Sequence, residues 1–324
     1  MSPVLRFLQT RVWLVTLGAL VVLVTVNWIL QPNLMTPRVL ESNLTVFLPI
    51  ALVAIGQTYV ILAGDIDLSV GSIVSLVNVV TVTLIGSFGG GTGAILGGIA
   101  IGIAVGLACG LLNALLVAVL RLQAIVSTFA TGIIFGALAL LVMPTAGGSV
   151  PAGYWRTYGG DFLGIPVVYL IYAASFLVIA FIAARPFIKH VAAVGGSRTA
   201  AFQTGLSTVR VRTSAYLLCG LFSAFGALCL TGETASGDPL LGRTIALSSV
   251  LAVVVGGTAL AGGRGSAFGS VLGAIVVGMI ANVVFFASPP FEYQTLIQGL
   301  ITLAALAGGV LIARGESRRR RGTP

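Results

Sequence analysis

Ten stretches of this chain, each roughly twenty residues long, are almost free of charge, and short segments separate most of them. As a helix rising about 1.5 Å per residue, such a stretch matches the ~30 Å hydrocarbon core of a bilayer. The stretches cover about 12–30, 45–63, 67–86, 94–119, 124–143, 165–184, 213–231, 244–262, 267–287 and 293–313. Charged residues make up only 8% of the 324, against roughly 25% in a soluble domain. The chain is therefore predicted to be an all-α, polytopic membrane protein. About ten transmembrane helices would form one transmembrane domain over 1–324. The third, eighth and ninth stretches are the ones a broken or re-entrant segment would fit.

Charge placement orients these spans. With the N-terminus inside, 14 of the 17 basic residues fall on cytoplasmic segments, leaving only Arg38, Arg156 and Arg243 outside. Five of the eight acids (Glu41, Asp161, Glu233, Asp238 and Glu292) also lie outside. Cytoplasmic loops of membrane proteins carry an excess of Lys and Arg, so both termini are expected in the cytoplasm. The net charge of +9 follows from that orientation and is no nucleic-acid footprint, because the arginines are spread over loop ends. The tail "RGESRRRRGTP" (314–324) reads as a stop signal that touches anionic lipid. No A-x-A cleavage pattern follows the first stretch, which is read as a retained helix.

Chemistry on the chain is poorly supported. The only lysine is Lys189, so no Walker A site exists and ATP hydrolysis cannot reside here. The only histidine, His190, sits beside it in a basic loop. Cys109, Cys219 and Cys229 lie inside spans without metal or disulfide spacing. No catalytic, cofactor-binding or metal-binding residues are expected. The "GGGTGA" run at 89–94 joins two spans and reads as a turn. Gly98, Gly102, Gly106 and Gly110 recur every four residues, the spacing at which helix backbones approach closely in membranes.

Three features remain. "AGDIDLSVGS" (63–72) puts two of the few acids at a span boundary, where Asp67 can cap the third helix through N–H groups near Ser69 and Val70. Gly64 and Gly71 allow the turn, and Asp65 is expected to pair with a loop arginine such as Arg121 or Arg264. The longest internal cytoplasmic segment, 185–214, contains "SRTAAFQTG", a short helix with Ser197 as N-cap and Gly205 as C-cap. Such a helix can seat in a partner's groove or lie on lipid. Gln57, Ser75, Asn78, Asn113, Thr128, Thr131 and Asn282 are polar within spans. Each is either a helix-packing hydrogen bond or a wall of a transport path.

These motifs carry a resemblance. "ILAGDIDLSVGSIVSL" (61–76) resembles the signature of ribose-type monosaccharide permeases of ABC importers. "VVVGGTALAGGRGSAFGSVLGAIVVG" (253–278) is similar to their late glycine-rich segment, and "AAFQTG" to the A-A-x-x-x-G core of a coupling loop. Asp65 departs from the pattern, which more often has glycine there, and Ala246 and Ser248 stand where acids are frequent. The resemblance implies a multi-pass subunit of the bacterial inner membrane that moves a pentose or hexose. Its partners would be a second permease, identical or related, a periplasmic sugar-binding protein and an ATP-binding subunit that holds ATP and Mg. The coupling residues would be Ser197, Ala200, Ala201 and Gly205. The signature turn would be Gly64, Asp65, Asp67, Ser69 and Gly71, with a possible translocation path at Gln57, Asn78, Asn113 and Asn282. An ion-coupled secondary transporter using Asp65 and Asp67 is the alternative.

Overall fold

A computed structural model describes residues 12–290 together with 293, 296, 297 and 299–301. Helices α1 (Val12–Leu30), α2 (Pro37–Leu62), α3 (Val70–Ser87) and α4 (Thr92–Ala114) come first. A π-helical turn, Leu115–Val119, extends α4, and α5 (Ala124–Val142) follows. Next come a short α6 (Ala152–Tyr158), a two-stranded hairpin of β1 (Asp161–Phe162) and β2 (Ile165–Pro166), and α7 (Val167–Ala183). Then follow α8 (Pro186–Gly196), α9 (Arg198–Gln203), α10 (Thr208–Thr234), α11 (Ile245–Val255) and α12 (Ala267–Phe286).

The all-α, membrane-spanning architecture matches the expectation. Among the described residues six helices are long and apolar enough to cross a bilayer: α2, α3, α4 with its π turn, α5, α10 and α12. A seventh is added if α7 and α8, which meet at a 72° bend, count as one span. The expected eighth span, 244–262, is not a continuous helix. Its helical part, α11, has 11 residues and is about 16 Å long, half the thickness of a hydrocarbon core. The expected tenth span, 293–313, the basic tail and the arginines before Val12 fall largely or wholly outside the described residues.

The helices alternate between an end rich in arginine (Arg185, Arg198, Arg212) and an opposite end that holds α6 and the hairpin. At the centre stands α2, buried along nearly all of Phe47–Leu62, as an apolar helix surrounded by protein should be. Pro49 interrupts it and has no N–H for the Thr45 carbonyl. The Tyr158 hydroxyl donates to that carbonyl instead, at 3.4 Å, and Tyr172 donates to the Leu44 carbonyl at 3.2 Å.

The glycine stripe of α4 is packed inside the bundle. A Cβ on Gly106 would meet the Gly220 carbonyl at 2.6 Å and Ala224 Cβ at 2.7 Å; one on Gly110 would meet the Tyr216 carbonyl at 2.6 Å. Gly98 and Gly102 press on Ile85 and Thr81 of α3 in the same way. The other faces of the bundle are apolar and bare, with Ile133, Leu141, Leu177 and Phe181 all more than half exposed, as a lipid-facing surface requires.

Gly106→Val should force α4 away from α10 at a cost of about 1–3 kcal/mol. Thermal denaturation in detergent should show a lower midpoint. Gly97→Val, at a position with nothing within 4 Å, should leave it unchanged.

Candidate functional site

The signature forms an irregular, buried connection between α2 and α3. At the end of α2 the Gly64 N–H bonds the Ile61 carbonyl at 2.9 Å and the Asp65 N–H bonds the Val60 carbonyl at 3.1 Å. Gly64 sits at φ +81°, the left-handed turn that ends helices in this way. From Asp65 to Ser69 the chain is not helical, and α3 begins at Val70.

Unwound backbone at membrane depth needs partners from the protein, because lipid offers none. Helices α2 and α5 supply them, and α4 and α10 hold the side chains around them. Gln57 Nε2 of α2 donates to the Asp67 carbonyl at 3.1 Å. On α5, the Thr128 hydroxyl accepts from the Leu68 N–H at 3.0 Å and lies 3.2 Å from the Ile66 carbonyl. Asn113 Nδ2 of α4 donates to Asp67 Oδ2 at 3.1 Å and to Ser69 Oγ at 2.7 Å, while Thr131 Oγ1 donates to Asn113 Oδ1 at 2.6 Å. Cys219 Sγ of α10 lies 3.5 Å from Gln57 Oε1. A Cβ on Gly132 would come within 3.3 Å of Ser69 Cα, so α5 lies directly on the segment.

Asp67 is the hub and is fully buried. Its Oδ1 accepts from the Ser69 N–H at 2.9 Å and the Ser69 hydroxyl at 2.6 Å. It is not the helix cap, since Ser69 holds that position without a side-chain cap bond. Asp67 instead fixes the turn that leads into the cap.

Asp65 pairs with arginines other than those expected. In place of Arg121 or Arg264, Arg212 Nε reaches its Oδ2 at 2.8 Å and Arg212 Nη2 its Oδ1 at 3.0 Å. Arg198 Nη2 reaches the same Oδ1 at 2.6 Å and the Gly64 carbonyl at 3.1 Å. The partners come from the start of α9, where Arg198 is the first residue, and from near the start of α10, where Arg212 is the fifth. Three chain segments close on one another here. A Cβ on Gly195 of α8 would strike the Leu62 carbonyl and lie 2.7 Å from Gly263 N, and one on Gly262 would lie 2.8 Å from Gly64 Cα. The Gly263 N–H also bonds the Leu62 carbonyl at 2.9 Å.

The segment 185–214 contains more helix than its polarity suggests. Pro186–Gly196 is helical, a feature the sequence reading missed, and its signal is Pro186 at the first helical position. In α9, Ser197 is the N-cap and accepts from the Ala200 N–H at 3.3 Å. The C-cap is Thr204, with Gly205 one residue beyond at φ +82°. Bonds from Gly205 N to the Phe202 carbonyl, 3.0 Å, and from Leu206 N to the Ala201 carbonyl, 3.2 Å, close the turn. Ala201 is buried, Ala200 is exposed, and Phe202 stands 71% exposed beside them.

A second interrupted segment faces the first. After α10 the chain bends inward from the opposite end along α3. Asn78 Nδ2 donates to Thr231 Oγ1 at 2.8 Å and to the Ser236 carbonyl at 3.1 Å, and its Oδ1 accepts from the Asp238 N–H at 2.8 Å. Ser75 Oγ accepts from the Gly242 N–H at 2.9 Å. The first turn of α3 meets the turn that leads into α11 at Gly71 and Gly242, where a Cβ on either would strike the other's carbonyl. From there α11 continues to the arginine-rich end. A cleft of about 180 Å³ opens beside this junction, bordered by Ser72, Ser75, Gly136, Leu240 and Arg243.

Gln57, Asn78 and Asn113 are fully buried and border no part of that cleft, because their amides hold the two interrupted segments. Asn282 lies apart, donating to Asn43 Oδ1 at 2.9 Å. Both carboxylates have their oxygens occupied by partners within the chain. Among the described residues no group of His, Cys, Asp and Glu is placed to hold a metal ion.

The protein-family model described as "Branched-chain amino acid transport system / permease component" matches residues 39–306. The ribose import permease protein of Bacillus subtilis is 33% identical over 302 residues, covering 92% of this chain and 91% of that protein. The ribose import permease protein of Escherichia coli K12 is 29% identical over 309 residues, 92% and 94% of the two chains. The L-arabinose ABC transporter permease protein of Azospirillum brasilense is 32% identical over 279 residues, 85% and 80%. No solved structure matches. Matched over most of its length, this multi-pass membrane protein belongs to the ribose-type branch of the ABC-transporter permease family.

Proposed function

We propose that the chain is the membrane-spanning subunit of an inner-membrane importer that moves a pentose or hexose. A binding protein outside delivers the sugar, and a separate subunit hydrolyses ATP with Mg. Two permease copies, or this chain and a related one, enclose the path. The observation that carries this reading is α9: a capped helix at the arginine-rich end whose Phe202 projects from it, 71% exposed.

Orientation follows from the same helix. The arginine-rich end is cytoplasmic, both termini lie there, and the interrupted segments 63–87 and 235–262 each count as a full crossing. Ser197, Ala200, Ala201 and Gly205 shape α9 so that it seats in a groove of the ATPase. The interrupted segments rock with it between outward-open and inward-open packings. Gln57, Asn78 and Asn113 hold these segments, and Asn282 ties α12 to α2. The sugar path runs beside the cleft at Ser72, Ser75 and Gly136. A neutral sugar needs hydroxyl partners and apolar walls there and no ion site. Occupied carboxylates at Asp65 and Asp67 give the ion-coupled alternative no support.

In proteoliposomes containing the ATPase subunit and the binding protein, radiolabelled ribose, arabinose, xylose or galactose should accumulate only with ATP. Uptake driven by an ion gradient without ATP would sink this reading.

In the same assay Phe202→Asp and Gly205→Pro should lower ATP-driven uptake about tenfold or more, a loss of about 1.4 kcal/mol or more in coupling. Phe202→Asp should leave the thermal midpoint of the isolated permease unchanged, since the side chain packs little within this chain. Unimpaired uptake and co-purification in both variants would remove α9 from the docking surface.

A further inference from the structure

We propose that Asp65 is the positioning residue of a latch through which α9 pulls on the interrupted third crossing. Its bond to Arg212 is the fixed half of that latch, and its bond to Arg198 is the half that opens. The inference rests on the coupling role of α9 proposed above.

The two arginines are not equivalent. The Arg212 side chain is 8% exposed and forks onto both oxygens of a carboxylate that is itself 3% exposed. Breaking such a pair strands a buried charge, so it persists through any movement the bundle survives. Arg198 is 48% exposed and reaches one carboxylate oxygen with one nitrogen. When Arg198 leaves, Asp65 and Arg212 remain as a neutral pair and water takes the freed guanidinium. The contact is therefore reversible, and it sits on the first residue of α9.

What Asp65 holds can transmit the pull. Residues 65–69 carry no helical ladder, so they can shift without unwinding a helix. Asp67 ties them to Asn113, and the segment runs directly into Gly71, which abuts Gly242. Gly195 of α8 and Gly262 press on the same corner from two sides. A displacement of α8 and α9 thus reaches both interrupted crossings at one point and is delivered to the cleft beside Ser72.

The test needs no sugar. Ser72→Cys is placed in the full complex with its ATPase in nanodiscs, and its maleimide labelling rate is compared without nucleotide and with ATP plus vanadate. Cys109, Cys219 and Cys229 are buried and contribute little background. The rate should change several-fold with nucleotide. Arg198→Gln should abolish that change, and Arg198→Lys, which keeps the charge, should retain most of it. Should Arg198→Gln fail to assemble, Arg198→Met, which keeps the aliphatic stem and leaves the Asp65–Arg212 pair intact, gives the same reading. A full nucleotide response in Arg198→Gln, or no response in the parent, overturns the latch. Failure of α9 docking is separate and appears as Phe202→Asp co-purifying with the ATPase at full yield and activity.

Discussion

Lipid cannot hydrogen-bond a peptide group, and the design of this bundle follows from how it meets that constraint. Residues 65–69 and 235–244 leave the helix, and polar side chains of neighbouring helices bond either their backbone or their side chains. Gln57, Thr128 and Asn113 serve residues 66–69, while Asn78 and Ser75 serve residues 236–242. These groups lie on α2, α3, α4 and α5, so the helices hold their relative positions through the interruptions as well as through apolar packing. Removing the Gln57 or Asn78 amide would leave a buried peptide carbonyl without that partner, at roughly 1–3 kcal/mol.

Close backbone approach completes the arrangement. Gly71 and Gly242 bring the first turn of α3 against the turn before α11, and Gly64, Gly195 and Gly262 bring three chain segments to one corner. No side chains intervene at either place, so movement passes between backbones with little slack. Asp65 adds ion pairs with Arg198 and Arg212 to that corner. For the proposed import function, such a corner would supply a stiff contact to an external motor and a segment free to rearrange.

Much of this was legible in the sequence, because lipid writes strong patterns. Long uncharged runs gave the helices, and the four-residue glycine spacing gave the close packing of one face of α4, though not its partners α3 and α10. Ser197 and Gly205 gave α9. The amides inside spans were recognisable as unusual, but not as supports for backbone rather than walls of a path. That distinction depends on which strands of chain are unwound, and hydropathy is blind to it: 244–262 is as apolar as any full span, yet only Ile245–Val255 is helical. The partners of Asp65 were equally hidden. Arg212 lies near the start of a long apolar helix, and only the tertiary approach of α10 to α2 makes it a buried partner.

The central claim is that 235–262 crosses the membrane although little more than a third of it is helix. Single-cysteine variants Thr234→Cys and Ser266→Cys, both at exposed positions, decide it with a membrane-impermeant thiol reagent applied to spheroplasts and to inside-out vesicles. The account predicts that Thr234→Cys reacts only in spheroplasts and Ser266→Cys only in inside-out vesicles. Reaction of both from the same side would make the segment a re-entrant loop and contradict the account.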